Sequence, residues 1–424
     1  MLNYLFEFNR YANILGIVFV FVLAWLLSCD RKKINRNLVL KAFGLQVIFA
    51  LLLIKIPIIE QYIFVPITNG FNALCGFARE GAYFLFGNLI NVCPDAWGSV
   101  FAFGVLPLII FFAALAAILS HYGIIQAVVS GLNKLIRPLL GTSGPETLSA
   151  TSNLVLGQTE APILVKNYLA RMTESQLFVV MVSGMAHMSA VLLAVYYSMG
   201  IPMKHMIVAA VMGIPGAILL AKIVVPEQKV SAIEKDELDV AEDASSKAGN
   251  IFDAIFQGTS SGTAIAVIVG AMLLVFISLV PLVDAIIGWI GVLLNIGFSC
   301  IGYQLPALSL GYLFSWVFAP FAYLLGFTGS DLTHAAQLLG TKITINEFVA
   351  FSKLTTMQLS DRALILLTYA LGNFANFASI GMQVGGISAL APSCRSSLTK
   401  LGMRAVLTAS LVGLLSAFIV GLII

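Results

Sequence analysis

An all-α polytopic membrane protein is the fold class that this sequence predicts, and three observations lead to it. Of 424 residues, 59% are hydrophobic and only 10% charged, against about 25% charged in soluble domains. The mean hydropathy is +0.98. Apolar runs recur along the whole chain, each close to the roughly 20 residues that a helix needs to cross a hydrocarbon core. About eight transmembrane helices are expected, in contact with a lipid bilayer.

Composition also excludes other classes. A formal net charge of +3, with no basic cluster interleaved with aromatics, does not suit a nucleic-acid partner. The five cysteines (Cys29, Cys75, Cys93, Cys300, Cys394) stand singly, without the spacing of a disulfide framework or a zinc site. They read as small apolar packing residues.

The first span covers about 13–29. Arg10 ahead of it gives a faint signal-peptide pattern, but no small-residue cleavage site follows, so it reads as a membrane helix. Asp30-Arg31-Lys32-Lys33, Arg36 and Lys41 come next, and the positive-inside rule puts them in the cytoplasm and the N-terminus outside. A second span, 39–59, returns outward. The stretch 62–91 is broken by Pro66, Gly70, Gly76, Arg79-Glu80 and Gly81. It reads as interfacial or partly buried helices, because no clean run of about 20 residues survives.

A third span, 97–120 and starting at Trp97, ends inside, and 124–140 carries Lys134 and Arg137 among apolar residues, as an amphipathic helix at the cytoplasmic face would. Spans at 177–199 and 206–225 lead out and back. Between 227 and 250 lie seven acidic residues and three lysines, a composition that cannot bury a core and reads as a solvated linker. A regulatory loop is the other reading.

Beyond it, 251–280 is a long outward helix, followed by Pro281, Asp284 and a separate apolar piece at 285–301. An interrupted region fills 305–351, 363–382 comes inward, and 405–424 leaves again past Arg395, Lys400 and Arg404. The expected organisation is 1–120 for N-terminal helices and interfacial segments, 121–226 for a first repeat, 227–250 for the linker, 251–300 for a long helix with an interfacial piece, and 301–424 for a second repeat.

Inside this apolar frame, 152–162 puts Asn153, Gln158, Thr159 and Glu160 within eight positions. An ionisable group at membrane depth costs several kcal/mol unless it meets water or a partner, so its default reading is functional. Gly157 allows a sharp turn and Pro162 limits helix continuation. The stretch reads as the tip of a re-entrant helical hairpin; a kinked helix with a polar packing cluster is the alternative. Glu347, in Asn346-Glu347-Phe348, marks a second hairpin.

The two are related by spacing. Glu160 to Ser189 and Glu347 to Asn376 are both 29 residues apart. Gly184-Met185-Ala186-His187-Met188-Ser189 and Leu371-Gly372-Asn373-Phe374-Ala375-Asn376 are both polar, glycine-containing patches in apolar spans. Broken helices of this kind in an inverted repeat expose carbonyls and amides near the midplane, where they bind ions and polar substrates.

Gly157-Gln158-Thr159-Glu160, Asn346-Glu347-Phe348-Val349-Ala350 and Phe374-Ala375-Asn376-Phe377-Ala378-Ser379-Ile380-Gly381 resemble the three signature motifs of the concentrative nucleoside transporters. The likeness runs through nearly the whole chain, and Gly76-Phe77-Ala78 and the loop at Asp30 fit bacterial members. It implies a plasma-membrane symporter, a homotrimer, and a protomer divided into a scaffold domain and a mobile transport domain working by alternating access.

By matched position, the resemblance implies that Gln158, Thr159 and Glu160 meet the nucleobase. It implies that Glu347, Asn376 and Ser379 hold the ribose, with Phe374 and Leu192 packed near the base. A diol gripped by a carboxylate and an amide, and a base edge facing mixed donors and acceptors, agree with that chemistry.

It further implies a sodium site at Asn153, the Leu156 carbonyl and the carbonyls of His187 and Met188, all oxygen ligands as a hard cation requires. One residue departs. A small hydroxyl residue is expected at position 187, where this chain has a histidine that titrates near neutral pH. The coupling ion is therefore sodium or a proton, and His187 is either a carrier or a carbonyl donor. No cofactor is expected. Neither a metalloprotease HExxH nor a paired-aspartate motif occurs, which argues against an enzyme. A passive channel or a transporter of another polar solute are the remaining alternatives.

Overall fold

The computed structural model describes residues 4, 6–91, 100–228, 249–298 and 306–424. Its elements are helical throughout the described residues. Helix α1 (Arg10–Leu26) is followed by α2 (Arg36–Lys55), which the Asn35 side chain caps by accepting from the Leu38 amide at 3.2 Å. Helix α3 (Val65–Phe86) is unbroken, although its glycines predicted interruptions. Pro66 lies in its first turn, where no intrahelical N–H is needed, and an isolated glycine costs only about 1 kcal/mol.

Helix α4 (Leu106–His121) and the amphipathic α5 (Ile124–Leu140) come next. Trp97, expected at the start of the third span, lies outside the described residues. Gly123 and Gly141, both at positive φ, bound α5. The first hairpin begins with α6 (Gly144–Ser152), and α7 (Glu174–Ala186) and α8 (Ala190–Ser198) form one span broken at 187–189. Helix α9 (Met203–Val224) returns. Of the linker, 229–248 lie outside the described residues.

Helix α10 (Ile251–Phe298) corrects the expected division at Pro281: its 48 residues are continuous. Its length is about 72 Å, more than twice a hydrocarbon core of about 30 Å. Apolar side chains stay exposed from Phe252 to Ile296. Short helices α11 (Leu310–Val317) and α12 (Ala319–Leu324) lead to the second hairpin, α13 (Gly329–Thr344) and α14 (Glu347–Leu354). The last spans are α15 (Asp361–Leu371) with α16 (Phe377–Leu390), and α17 (Arg395–Ile423).

Among the described residues, seven spans, counting α7 with α8, are long and apolar enough to cross a membrane. The expected eighth span, α15 with α16, is divided by a break, and its apolar part α16 has only 14 residues. The core is central to α9 and α17, whose apolar windows are 89% buried, whereas that of α10 is 6% buried. Helix α10 instead packs on α4 through small residues. A Cβ at Gly258 would lie 2.7 Å from Ala114 Cα, and one at Gly262 would lie 2.7 Å from Ala113 Cβ. Only glycine permits that approach.

Candidate binding site at two hairpin tips

Hairpin 1 is anchored at its base. Ser143 caps α6, and Glu146 accepts from the Ser143 amide at 3.0 Å and its hydroxyl at 2.9 Å. Lys222 of α9 pairs with Glu146 and, at 3.3 Å, with Glu227. At the far end of α6 the Thr151 and Ser152 hydroxyls donate back to the Thr147 and Ser149 carbonyls, both at 2.9 Å, a pattern that weakens helix propagation. The helix stops at Ser152 and a turn carries the chain to a return arm, Ala161–Val165 and Lys166–Leu169.

At the tip, the Gly157 amide donates to Glu160 Oε2 at 3.2 Å. Gln158 is buried, whereas Thr159 and Glu160 are exposed. Thr159 packs on α16, where a Cβ at Gly386 would come within 3.4 Å of its methyl group.

Hairpin 2 turns at Ile345. Asn346 caps α14 by accepting from the Val349 amide at 2.9 Å, which puts Glu347 in the first turn, where the helix dipole favours a negative charge. The break after α15 is built in the same way. Asn376 caps α16 through the Ser379 amide at 3.0 Å.

These caps converge. Asn376 Nδ2 donates to Glu347 Oε2 at 3.0 Å, and the Tyr196 hydroxyl of α8 donates to Glu347 Oε1 at 3.3 Å. The Ser379 hydroxyl donates to the Phe374 carbonyl at 2.5 Å, and Gln158 Nε2 donates to Ser379 Oγ at 3.4 Å. A continuous polar chain thus links hairpin 1, the second break, hairpin 2 and α8 inside an apolar bundle. Phe374 is buried beside it, and Leu192 sits partly buried in the first turn of α8.

Three members escaped the sequence reading. Tyr196 and Gln383 are polar residues in apolar spans, a signal available but not distinctive by itself. Lys342, on α13, is buried; its ammonium donates to the Ala370 carbonyl at 3.1 Å and interacts electrostatically with Glu347.

The first break groups the residues matched to an ion site. Asn153 Nδ2 donates to the Ser149 carbonyl at 2.7 Å and to Ser183 Oγ at 3.3 Å. Its Oδ1 is buried and has no hydrogen-bond partner among the described residues, which leaves an oxygen free for a hard cation. His187 is extended (φ −120°, ψ 165°), so the carbonyls of His187 and Met188 lie outside the helical ladder. The Val155 carbonyl accepts from the Ala190 amide at 3.2 Å, which holds the stretch ending at Leu156 against this break. The His187 ring turns away: Nδ1 meets the Ser183 carbonyl at 2.7 Å, and Nε2 lies 2.9 Å from where a Gly213 Cβ would stand.

Known proteins resemble this chain throughout. A family model described as Na+ dependent nucleoside transporter N-terminus matches residues 15–89, one described as Nucleoside recognition matches 102–203, and one described as Na+ dependent nucleoside transporter C-terminus matches 205–421. An uncharacterized transporter of Haemophilus influenzae is 36% identical, with 97% of each chain covered. The Nucleoside permease NupC of Helicobacter pylori is 33% identical, with 98% of each covered. Sodium/nucleoside cotransporter 1 of Rattus norvegicus is 32% identical over 96% of this chain and 63% of its own. Among solved structures, CNTnw in an inward-facing substrate-bound state is similar with a TM-score of 0.87 and 36% identity, over 97% of this chain and 98% of that one. A CNTnw variant in an intermediate state is similar with a TM-score of 0.89 at the same identity, over 97% and 98%.

Proposed function

We propose, because this chain belongs to the Na+ dependent nucleoside transporter family, that it is a secondary active symporter importing nucleosides by alternating access. It is a multi-pass membrane transporter and not an enzyme. The observation that carries the site reading is the buried chain from Gln158 through Ser379 and Asn376 to Glu347. Membrane interiors keep such groups where a polar solute exchanges hydrogen bonds with them.

In this reading Glu347, Asn376 and Ser379 grip the ribose hydroxyls. Gln158, Thr159 and Glu160 face the base, with Phe374 and Leu192 against its apolar surface. Sodium binds between Asn153 Oδ1 and the carbonyls of Leu156, His187 and Met188. The free Asn153 oxygen supports sodium, and the orientation of the His187 ring supports its acting through the main chain alone.

The basic loops support an N-terminus outside a bacterial inner membrane. The exposed length of α10 supports the homotrimer, with α4 and α10 in the stationary scaffold and the hairpins in the moving part.

The test is uridine uptake into proteoliposomes under an imposed sodium or proton gradient. Sodium-driven uptake is expected, and His187→Ser should keep it with the same pH profile. Uptake driven by protons alone, with a pH profile altered in the His187 variant, would overturn the sodium site and make the imidazole the carrier.

A further inference from the structure

Gln383 lies one turn beyond Ser379 on α16, fully buried at the seam between hairpin 1 and α7. Its Nε2 donates to the Gln158 main-chain carbonyl at 3.1 Å and reaches Gln158 Oε1 at 3.5 Å. Its Oε1 has no partner among the described residues. A buried acceptor left unpaired costs about 1–3 kcal/mol, so an apolar residue of the same length would be the easier occupant if packing were all that mattered. Room for this amide is kept by Gly184 of α7, where a Cβ would stand 2.1 Å from Gln383 Nε2.

The geometry sets the orientation of two amides. A main-chain carbonyl only accepts, so the end of Gln383 that meets Gln158 O must be the NH2. That donor then faces Gln158 Oε1, which turns the Gln158 NH2 to the other side, toward Ser379 Oγ at 3.4 Å and Met382 Sδ at 3.6 Å. With both contacts long, this NH2 is the group available to an incoming solute. It suits a base edge that presents a carbonyl, and it opposes one that presents an amino group.

We propose that Gln383 is a positioning residue that sets base specificity, by holding the Gln158 amide with its NH2 toward the nucleobase. The proposal rests on the reading of the hairpin tips as the nucleoside site. Without the Gln383 donor, Gln158 is free to rotate its amide and offer either end.

The test is equilibrium binding of uridine, cytidine and 3′-deoxyuridine to purified, detergent-solubilised protein. It uses wild type, Gln383→Met, Gln158→Ala and the double variant. Methionine keeps length and volume, so the seam stays packed. Gly184→Ala displaces the same amide from the opposite side and serves as the second route. In Gln383→Met the ratio of cytidine to uridine Kd should fall at least threefold, while the penalty for 3′-deoxyuridine stays as in wild type. In the Gln158→Ala background the same substitution should leave the ratio unchanged. An unchanged ratio in the single variant, or an equal effect with and without Gln158, would overturn the proposal and leave Gln383 a packing residue. Wild-type protein that stays folded but binds no nucleoside would overturn the site reading itself, and the proposal with it.

Discussion

At the scale of single residues, Glu347 is the group on which the proposed site turns. It is 5% exposed, and it accepts from Asn376 and Tyr196. Hydrogen bonds to a charged group contribute about 1.5–3 kcal/mol each, so Glu347→Gln should weaken nucleoside binding by about 10- to 100-fold while leaving a folded protein. Wild-type affinity in that variant would remove Glu347 from the site. Lys342 supplies the opposite charge. The two buried charges act on each other across the turn rather than through a contact ion pair, so the coupling is weaker than that of a bonded pair. Lys342→Met alone should therefore lower thermal stability, and adding Glu347→Gln should restore part of it. Additive losses would show that the two charges act independently. The candidacy of Glu347 was legible in the sequence from its motif. Lys342 was not, because it stands five positions before Glu347 on the other arm of a turn, and its burial there is a tertiary event.

At the scale of elements, the outcome at glycines and prolines depended on what they meet. Gly70 and Gly76 of α3 meet no neighbouring atoms within 4 Å, and the helix runs through them. Pro281 is contained within α10. By contrast, both spans bearing polar patches are interrupted as expected, because His187 and Asn376 take extended backbone there. Gly258 and Gly262 form a GxxxG spacing, a signal the sequence offers but that names no partner. The partner is α4. Gly262→Leu should separate α4 from α10, since overpacking against fixed atoms costs about 1–3 kcal/mol or more. The expected result is a lower unfolding temperature and a changed oligomer distribution in size-exclusion chromatography. No change in either would mean that the seam does not hold the pair together.

At the scale of the whole molecule, the arrangement separates a compact core from a peripheral pair. Helices α9 and α17 sit inside, and the α4–α10 pair meets the rest of the bundle through α4 on α3, α5 and α8, with most of α10 uncovered. Alternating access asks for such a division, because one part must slide against another that stays in the membrane. The charge pattern predicts the sidedness. In a background without native cysteines, Lys32→Cys in intact cells should resist a membrane-impermeant maleimide and react only after the inner face is opened. Labelling from outside would invert the topology.

Hydrophobic run length and charge placement located the seven long apolar spans of the described residues and their expected orientation, because crossing the bilayer is a property of each segment taken alone. The motifs likewise announced two hairpins and the residues at their tips. The continuity of α10, the partner of its glycine seam, and the joining of Gln383 to Gln158 were decided only by tertiary structure. Residues 225 positions apart meet only when the bundle closes, and no local preference encodes which buried amide finds which carbonyl.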